Sequence, residues 1–265
     1  MIRVFVEGVG LRGPGLIGWQ GSCKVLAGGE PYVPGPVAVP VSELLPAAER
    51  RRTVATVKLA LAVGSEALTN AGRDAATTAT VFTSSGGDGE TVHQIFEALV
   101  APEREVSPTR FHNSVHNAPA GYWSIATQSR EPSTSLGCYD ASFPAGVLEA
   151  AVQASVDARA VALIAYDLPY PEPLHATRPI GAVFGAALVL TPTATGRSLA
   201  RLDLALTRDA HSATVMGDAA LDKLRGGNPA ARSLPLLAAL ARGATDSVVM
   251  EYVAGNRLVV AIAPC

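Results

Sequence analysis

Pro132-Ser-Thr-Ser-Leu-Gly-Cys-Tyr-Asp-Ala-Ser-Phe-Pro-Ala-Gly-Val-Leu-Glu-Ala-Ala151 reads as a short strand, a sharp turn and an Ala-rich helix. The strand is expected over 133–136 and the helix over 141–156. Ala145, Gly146, Ala150, Ala151 and Ala154 leave no bulky side chain to keep neighbouring backbones apart, so the helix is expected to be buried at the centre of the fold. The turn carries Cys138 and Asp140. A thiol at a helix N-terminus is acidified by the helix dipole and can serve as a nucleophile. Cys138 also fits a small buried hydrophobe, slow to alkylate. Asp140 fits an N-cap carboxylate.

Working outward, the apolar run 161–166 reads as a buried strand, and the β-branched run 77–83 as another. The second leads into Ser84-Ser-Gly-Gly-Asp-Gly89 and an amphipathic helix over 91–100. Val54, Val57, Leu61 and Leu68 recur at helical spacing within 49–71, and Gly72 marks a C-terminal stop. Residues 2–7 alternate as an opening strand, which Gly8-Val-Gly10 and Gly13-Pro-Gly15 are expected to break. Residues 11–48 and 102–113 read as irregular, and 116–128 as a helix. Beyond 166 the pattern predicts strands over 181–190 and 201–208, one helix over 234–241, and a closing hairpin of 247–253 with 257–262. Strands alternating with helices in the first two-thirds imply a layered α/β fold.

The 265 residues are 48% hydrophobic and only 17% charged, with a formal net charge of -2. This excludes a disordered chain and lacks the basic excess of a nucleic-acid binder. Low charge and high apolar content fit a chain that buries part of its exterior in a partner. No apolar run approaches the ~20 residues of a spanning helix, and the N-terminus lacks the apolar core of a signal peptide, so the cytoplasm is expected. Three widely spaced cysteines argue against a disulfide framework and a zinc site.

Ser84–Gly89 precedes a helix, where phosphates bind, but matches neither common nucleotide-binding glycine pattern. It is read as a tight turn. His112 and His116 have metal-ligand spacing but fall in an expected loop, and no G-x-S-x-G elbow exists. No cofactor and no metal are expected.

Two segments together resemble the β-ketoacyl synthase family of the thiolase-like superfamily. The first is the Pro132–Ala151 run. The second is Ser107-Pro-Thr-Arg-Phe-His-Asn-Ser-Val-His-Asn-Ala-Pro-Ala-Gly-Tyr-Trp-Ser-Ile-Ala126, similar to the family's lead into an interface helix. Glu7-Gly-Val-Gly10 and 81–90 match more weakly. The resemblance implies a thiolase-like layered α/β/α fold in a single domain, 1–265, with a complete N-terminal half (1–165) and a truncated second half (166–265). It also places the family's nucleophilic cysteine at Asp140, with Cys138 two residues early. The family's two second-half histidines have no counterpart, since neither His175 nor His211 has the matching glycines.

A carboxylate is a poor acyl acceptor, because its product would be a mixed anhydride, and it would repel a malonyl carboxylate. The resemblance therefore implies no catalytic residue. It points to a chain-length-factor-type subunit, like the short ketosynthase-like partner of aryl polyene pathways. Such a subunit pairs with a full-length ketosynthase, or with itself, around an acyl chain borne by an acyl carrier protein. Two other readings stay open: an acyltransferase or condensing enzyme using Cys138 (or Asp140), and a homodimeric acyl-binding scaffold. By the resemblance, 113–124 and 133–136 lie at the interface. Asn113, His116, Asn117, Tyr122, Trp123, Ser133 and Ser135 are the candidate contacts, with His116, Asn117, Tyr122 and Trp123 as anchors.

Overall fold

The computed structural model describes residues 1–40, 43–209 and 211–265; positions 41–42 of the irregular 11–48 excursion lie outside it. Strands are β1 (Ile2–Gly13), β2 (Leu16–Ile17), β3 (Ala79–Thr83), β4 (Ser133–Leu136), β5 (Val161–Asp167), β6 (Phe184–Thr191), β7 (Ala200–Thr207), β8 (Asp246–Glu251) and β9 (Arg257–Pro264). Helices are α1 (Trp19–Leu26), α2 (Ala47–Arg52), α3 (Ala55–Ala71), α4 (Gly89–Val100), α5 (Pro108–Asn113), α6 (Ala118–Thr127), α7 (Ser142–Val156), α8 (Leu174–Thr177), α9 (Ala219–Gly227) and α10 (Leu234–Arg242).

The strands form one mixed sheet in the order β4-β3-β5-β6-β1-β7-β9-β8, with β2 paired to β1. β5 shows how the sheet is covered. Val161, Leu163 and Ala165 pack into a core with α7, α1 and α10, while Ala162, Ile164 and Tyr166 pack into a second core with α3 and α6. This period-2 division, apolar on both faces, is the mark of a sheet covered on both sides. The layers are helix, sheet, helix, as the family resemblance implies. β3, β4 and β5 run parallel, so their carboxyl ends share one pole. β5 and β6 pair antiparallel over seven residue pairs, so the sheet is continuous across positions 165–166.

The expected break at Gly8–Gly10 does not occur: β1 continues through it, with a register shift between Val6 and Gly8 where it pairs with β6. These glycines admit a helix instead of a turn. A Cβ at Gly8 would stand 2.2 Å from the Ala67 carbonyl oxygen, and one at Gly10 2.0 Å from that of Val63. Helix α3 thus crosses directly over the strand backbone, a known use of glycine inside strands. The single helix expected over 49–71 is two, α2 and α3, because Thr53 and Val54 adopt extended backbone between them. Gly72 ends α3 at φ 60°, as its position predicts. Helices α1 and α5 fall in stretches read as irregular, and α9 lies beyond 208, where the sequence predicts one helix, over 234–241. All three are short, and α9 ends in Gly226-Gly227 after an Asp218 N-cap that accepts from Ala220 N and Leu221 N.

Helix α7 is buried on all sides over its first six residues, 142–147. A Cβ on Gly146 would come within 2.7 Å of Leu163 and 2.8 Å of Thr83. Its small residues therefore set the distance between helix and sheet.

Candidate functional site

Three segments meet at the carboxyl pole of β3, β4 and β5: the Ser84–Gly89 turn, the elbow between β4 and α7, and the chain leaving β5. This pole, beyond the carboxyl ends of parallel strands, is where open α/β sheets place their ligands.

The elbow is closed by Ser142. Its hydroxyl accepts from Cys138 N at 2.9 Å and donates to the Tyr139 carbonyl at 2.7 Å. Between them Tyr139 adopts φ 51°, left-handed backbone that a β-carbon disfavours. Non-glycine residues held this way cluster at functional sites. The contortion aims Asp140 at two arginines from distant segments. Arg178 Nη2 lies 2.6 Å from Asp140 Oδ1, and Arg232 Nη2 lies 3.2 Å from Oδ2. Arg178 also stacks on the Tyr139 ring, with its guanidinium carbon 3.6 Å from the ring centroid. Arg232 bridges onward to Glu251 at 2.8 Å. Asp140 is therefore the hub of an ion-pair network rather than an N-cap, and the N-cap geometry expected of it is absent.

Cys138 is half-buried rather than buried. It sits before the helix on the strand side of the turn, next to the exposed Gly137, where the core does not reach. Its backbone N–H is committed to Ser142.

Asp167, at the end of β5, organises the neighbouring turn. Its Oδ1 accepts from Ser85 N and Ser85 Oγ at 2.8 Å each and from Ser84 Oγ at 3.1 Å, while Oδ2 is buried and has no hydrogen-bond partner among the described residues. Burial pushes this carboxyl up to about 6, against the pull of the serine hydrogen bonds and Arg178. Ser84–Gly89 is the tight turn the sequence predicts, tied to a buried carboxylate. His116 supports the same place: its Nε2 is 3.1 Å from the Ser84 carbonyl oxygen and packs against Gly137.

The proposed contact residues divide. His116, Asn117, Ser133 and Ser135 come together, lining a shallow surface cavity of about 530 Å³ with Ala120 and Gly121. Tyr122 and Trp123 do not join them, a correction to their reading as interface anchors. They are 1% and 2% exposed, because α6 turns their face onto α3 and the sheet, where Trp123 meets Phe82 edge-on at 6.1 Å. Asn113 is likewise buried, and its amide donates to the Arg52 carbonyl oxygen at 2.9 Å.

Arg178, Arg232 and Asp167 were missed in the sequence. Each acts on a residue tens of positions away, and no local spacing signals that. Among the described residues no cluster of three or more His, Cys, Asp or Glu side chains could hold a metal ion. Among them no helix is long and apolar enough to cross a membrane.

A family model described as "Beta-ketoacyl synthase, N-terminal domain" matches residues 27–249. No curated protein matches the chain. Three solved structures share its fold over nearly the whole length. A chain of the ketosynthase ApeO in complex with its chain length factor ApeC, from Xenorhabdus doucetiae, superposes with TM-score 0.74 at 21% identity, covering 98% of this chain and 100% of that one. A chain of the ishigamide ketosynthase/chain length factor gives 0.71 at 15%, covering 100% and 99%. A chain of AntDE:AntF, a type II polyketide acyl-carrier protein in complex with its ketosynthase, gives 0.73 at 12%, again covering 100% and 99%. With 223 of its 265 residues spanned by the family model, the chain belongs to the β-ketoacyl synthase family.

Proposed function

We propose that this chain is a non-catalytic, chain-length-factor-type subunit. It pairs with an active β-ketoacyl-carrier-protein synthase of a polyketide, aryl polyene or fatty-acid-like pathway and shapes the acyl tunnel. The observation that carries this reading is the occupancy of the elbow: an Asp140 carboxylate clamped between Arg178 and Arg232. Where the family resemblance places a nucleophilic thiol, this chain holds an ion pair. A carboxylate locked to two guanidinium groups is weakly nucleophilic, and acylating it would break both ion pairs.

Support for pairing comes from the structural neighbours, two of which are described as a ketosynthase with its chain length factor. The ApeO–ApeC chain is matched over its full length, so this chain's shortness is shared. On this reading the chain is one ketosynthase-like domain, with 166–265 standing for a shortened second half, and it works in the cytoplasm. The partner covers the edge of β4 and the cavity bounded by His116, Asn117, Ser133 and Ser135.

Co-expression with a full-length ketosynthase from the same genome tests the proposal. A stoichiometric complex whose condensing activity needs this chain, and survives Cys138→Ala in it, is the expected outcome. A chain that stays monomeric at micromolar concentration beside that ketosynthase would overturn it. So would loss of activity on Cys138→Ala in a complex that still assembles.

A further inference from the structure

The Asp140 carboxylate occupies a place that a free anion could take. One guanidinium reaches each of its oxygens, Arg178 from the chain after α8 and Arg232 from the turn before α10. The arginine side chains are 17% and 18% exposed, whereas Asp140 is 41% exposed. The cations belong to the wall of the site, and the anion is its outward-facing, replaceable part.

Each arginine has its own support. Arg178 stands over the Tyr139 ring, its guanidinium carbon 3.6 Å from the centroid, and Arg232 is bridged to Glu251 at 2.8 Å. Both guanidinium groups therefore have anchors other than Asp140. Without Asp140, Arg178 would lose its ion pair and keep its stacking on the Tyr139 ring. A largely buried cation stripped of its counter-ion is costly, so the site would take an anion from solvent. Two guanidinium groups, one on each oxygen, match the carboxylate that already occupies them.

We propose that Arg178 and Arg232 form a carboxylate-binding site that Asp140 fills in cis. In its filled state the site closes the elbow to carboxylate-bearing groups such as a malonyl unit, by occupying both guanidinium groups and by like-charge repulsion. The inference rests on the reading of Asp140 as the stand-in for the family's nucleophile. It concerns the isolated chain, so its failure would leave pairing with a ketosynthase untouched, and failed pairing would leave it standing.

The test is titration of wild-type and Asp140→Ala chains with malonate and acetate, against sulfate and chloride at matched ionic strength, by calorimetry and thermal unfolding. Asp140→Ala should bind malonate at least about tenfold more tightly than wild type, the minimum expected of two charge-assisted hydrogen bonds. Its midpoint should rise with malonate, and adding Arg178→Ala should abolish both effects. If Asp140→Ala does not fold, Asp140→Ser, which withdraws the side chain from both guanidinium groups and keeps a small polar group at the turn, carries the same comparison. Equal responses of wild type and variant would overturn the proposal, as would sulfate acting as well as the carboxylates.

Discussion

The guanidinium carbon of Arg178 stands 3.6 Å from the centroid of the Tyr139 ring, over a residue whose φ is 51°. A left-handed backbone at a residue with a β-carbon costs ~1–2 kcal/mol. Stacking on the ring returns ~0.5–1 kcal/mol, and the partly exposed pair with Asp140 up to ~1 kcal/mol. The elbow is therefore held in shape by the arginine that faces it, not by its own backbone preference.

Arg178→Ala should then cost about 1–2 kcal/mol in urea unfolding. Lysine at 178 should recover less than half of this, since an ammonium reproduces neither the flat stacking nor the fork. In the Arg178→Ala background, Tyr139→Gly should restore about 1 kcal/mol by removing the strain. A further loss on that second substitution would show that the Tyr139 backbone is not under strain.

Trp123 is a fold residue. It is 2% exposed and lies edge-on to Phe82, and a Cβ added at Gly64 would come within 2.8 Å of its ring. Trp123→Ala should cost about 3–5 kcal/mol of stability. The loss should appear equally for the chain alone and for any complex it forms. A variant with wild-type stability but weakened association would return Trp123 to the interface.

The Trp123 misreading marks where sequence pattern stops being informative. α6 carries apolar residues on most of its circumference, so its periodicity does not say which side faces the core. The β4 strand, the α7 helix and the Gly72 cap were legible, because each is set by neighbours within a few residues. Gly8 and Gly10 looked like breakers because the helix that needs their missing side chains begins some 45 positions later. The site divides in the same way. Asp140 and Cys138 stood out at the elbow from local order alone. Arg178 and Arg232 could be seen to matter only once the chain after β5 and the turn before α10 had been folded onto that elbow.

Asp167 makes stability pH-dependent in an unusual direction. Its carboxyl is raised from 3.8 to about 6 by burial, so between about pH 4 and 6 the folded state holds a proton that the unfolded chain has released. This contribution is full below about pH 4 and is lost as pH rises through about 6, making the group a net burden at pH 7. Asp167→Asn keeps an acceptor for Ser85 and has no charge to desolvate. Urea unfolding should therefore show the variant gaining on wild type as pH rises from about 4 to 7, by up to roughly 3 kcal/mol. Parallel profiles for the two proteins would mean that the carboxylate is not a burden in the fold.

The free edge of β4 separates folding from pairing. Thr80 N and Ser84 N donate to the carbonyl oxygens of Pro132 and Leu136, and in a parallel ladder this alternation turns the backbone groups of Ser133 and Ser135 toward the open edge. Proline at 135 would remove an edge N–H without touching the ladder to β3, and edge strands tolerate it. Ser135→Pro should therefore unfold within about 1 kcal/mol of wild type, since no core contact is lost and only an edge strand is altered. Its association with itself or with a ketosynthase should fall sharply, because a paired edge would lose a hydrogen bond and meet the proline ring. Sedimentation velocity across micromolar concentrations would report this. An undiminished dimer of a normally folded Ser135→Pro chain would exclude the β4 edge from the interface and move the search to the exposed apolar side chains of α4, Phe96, Leu99 and Val100.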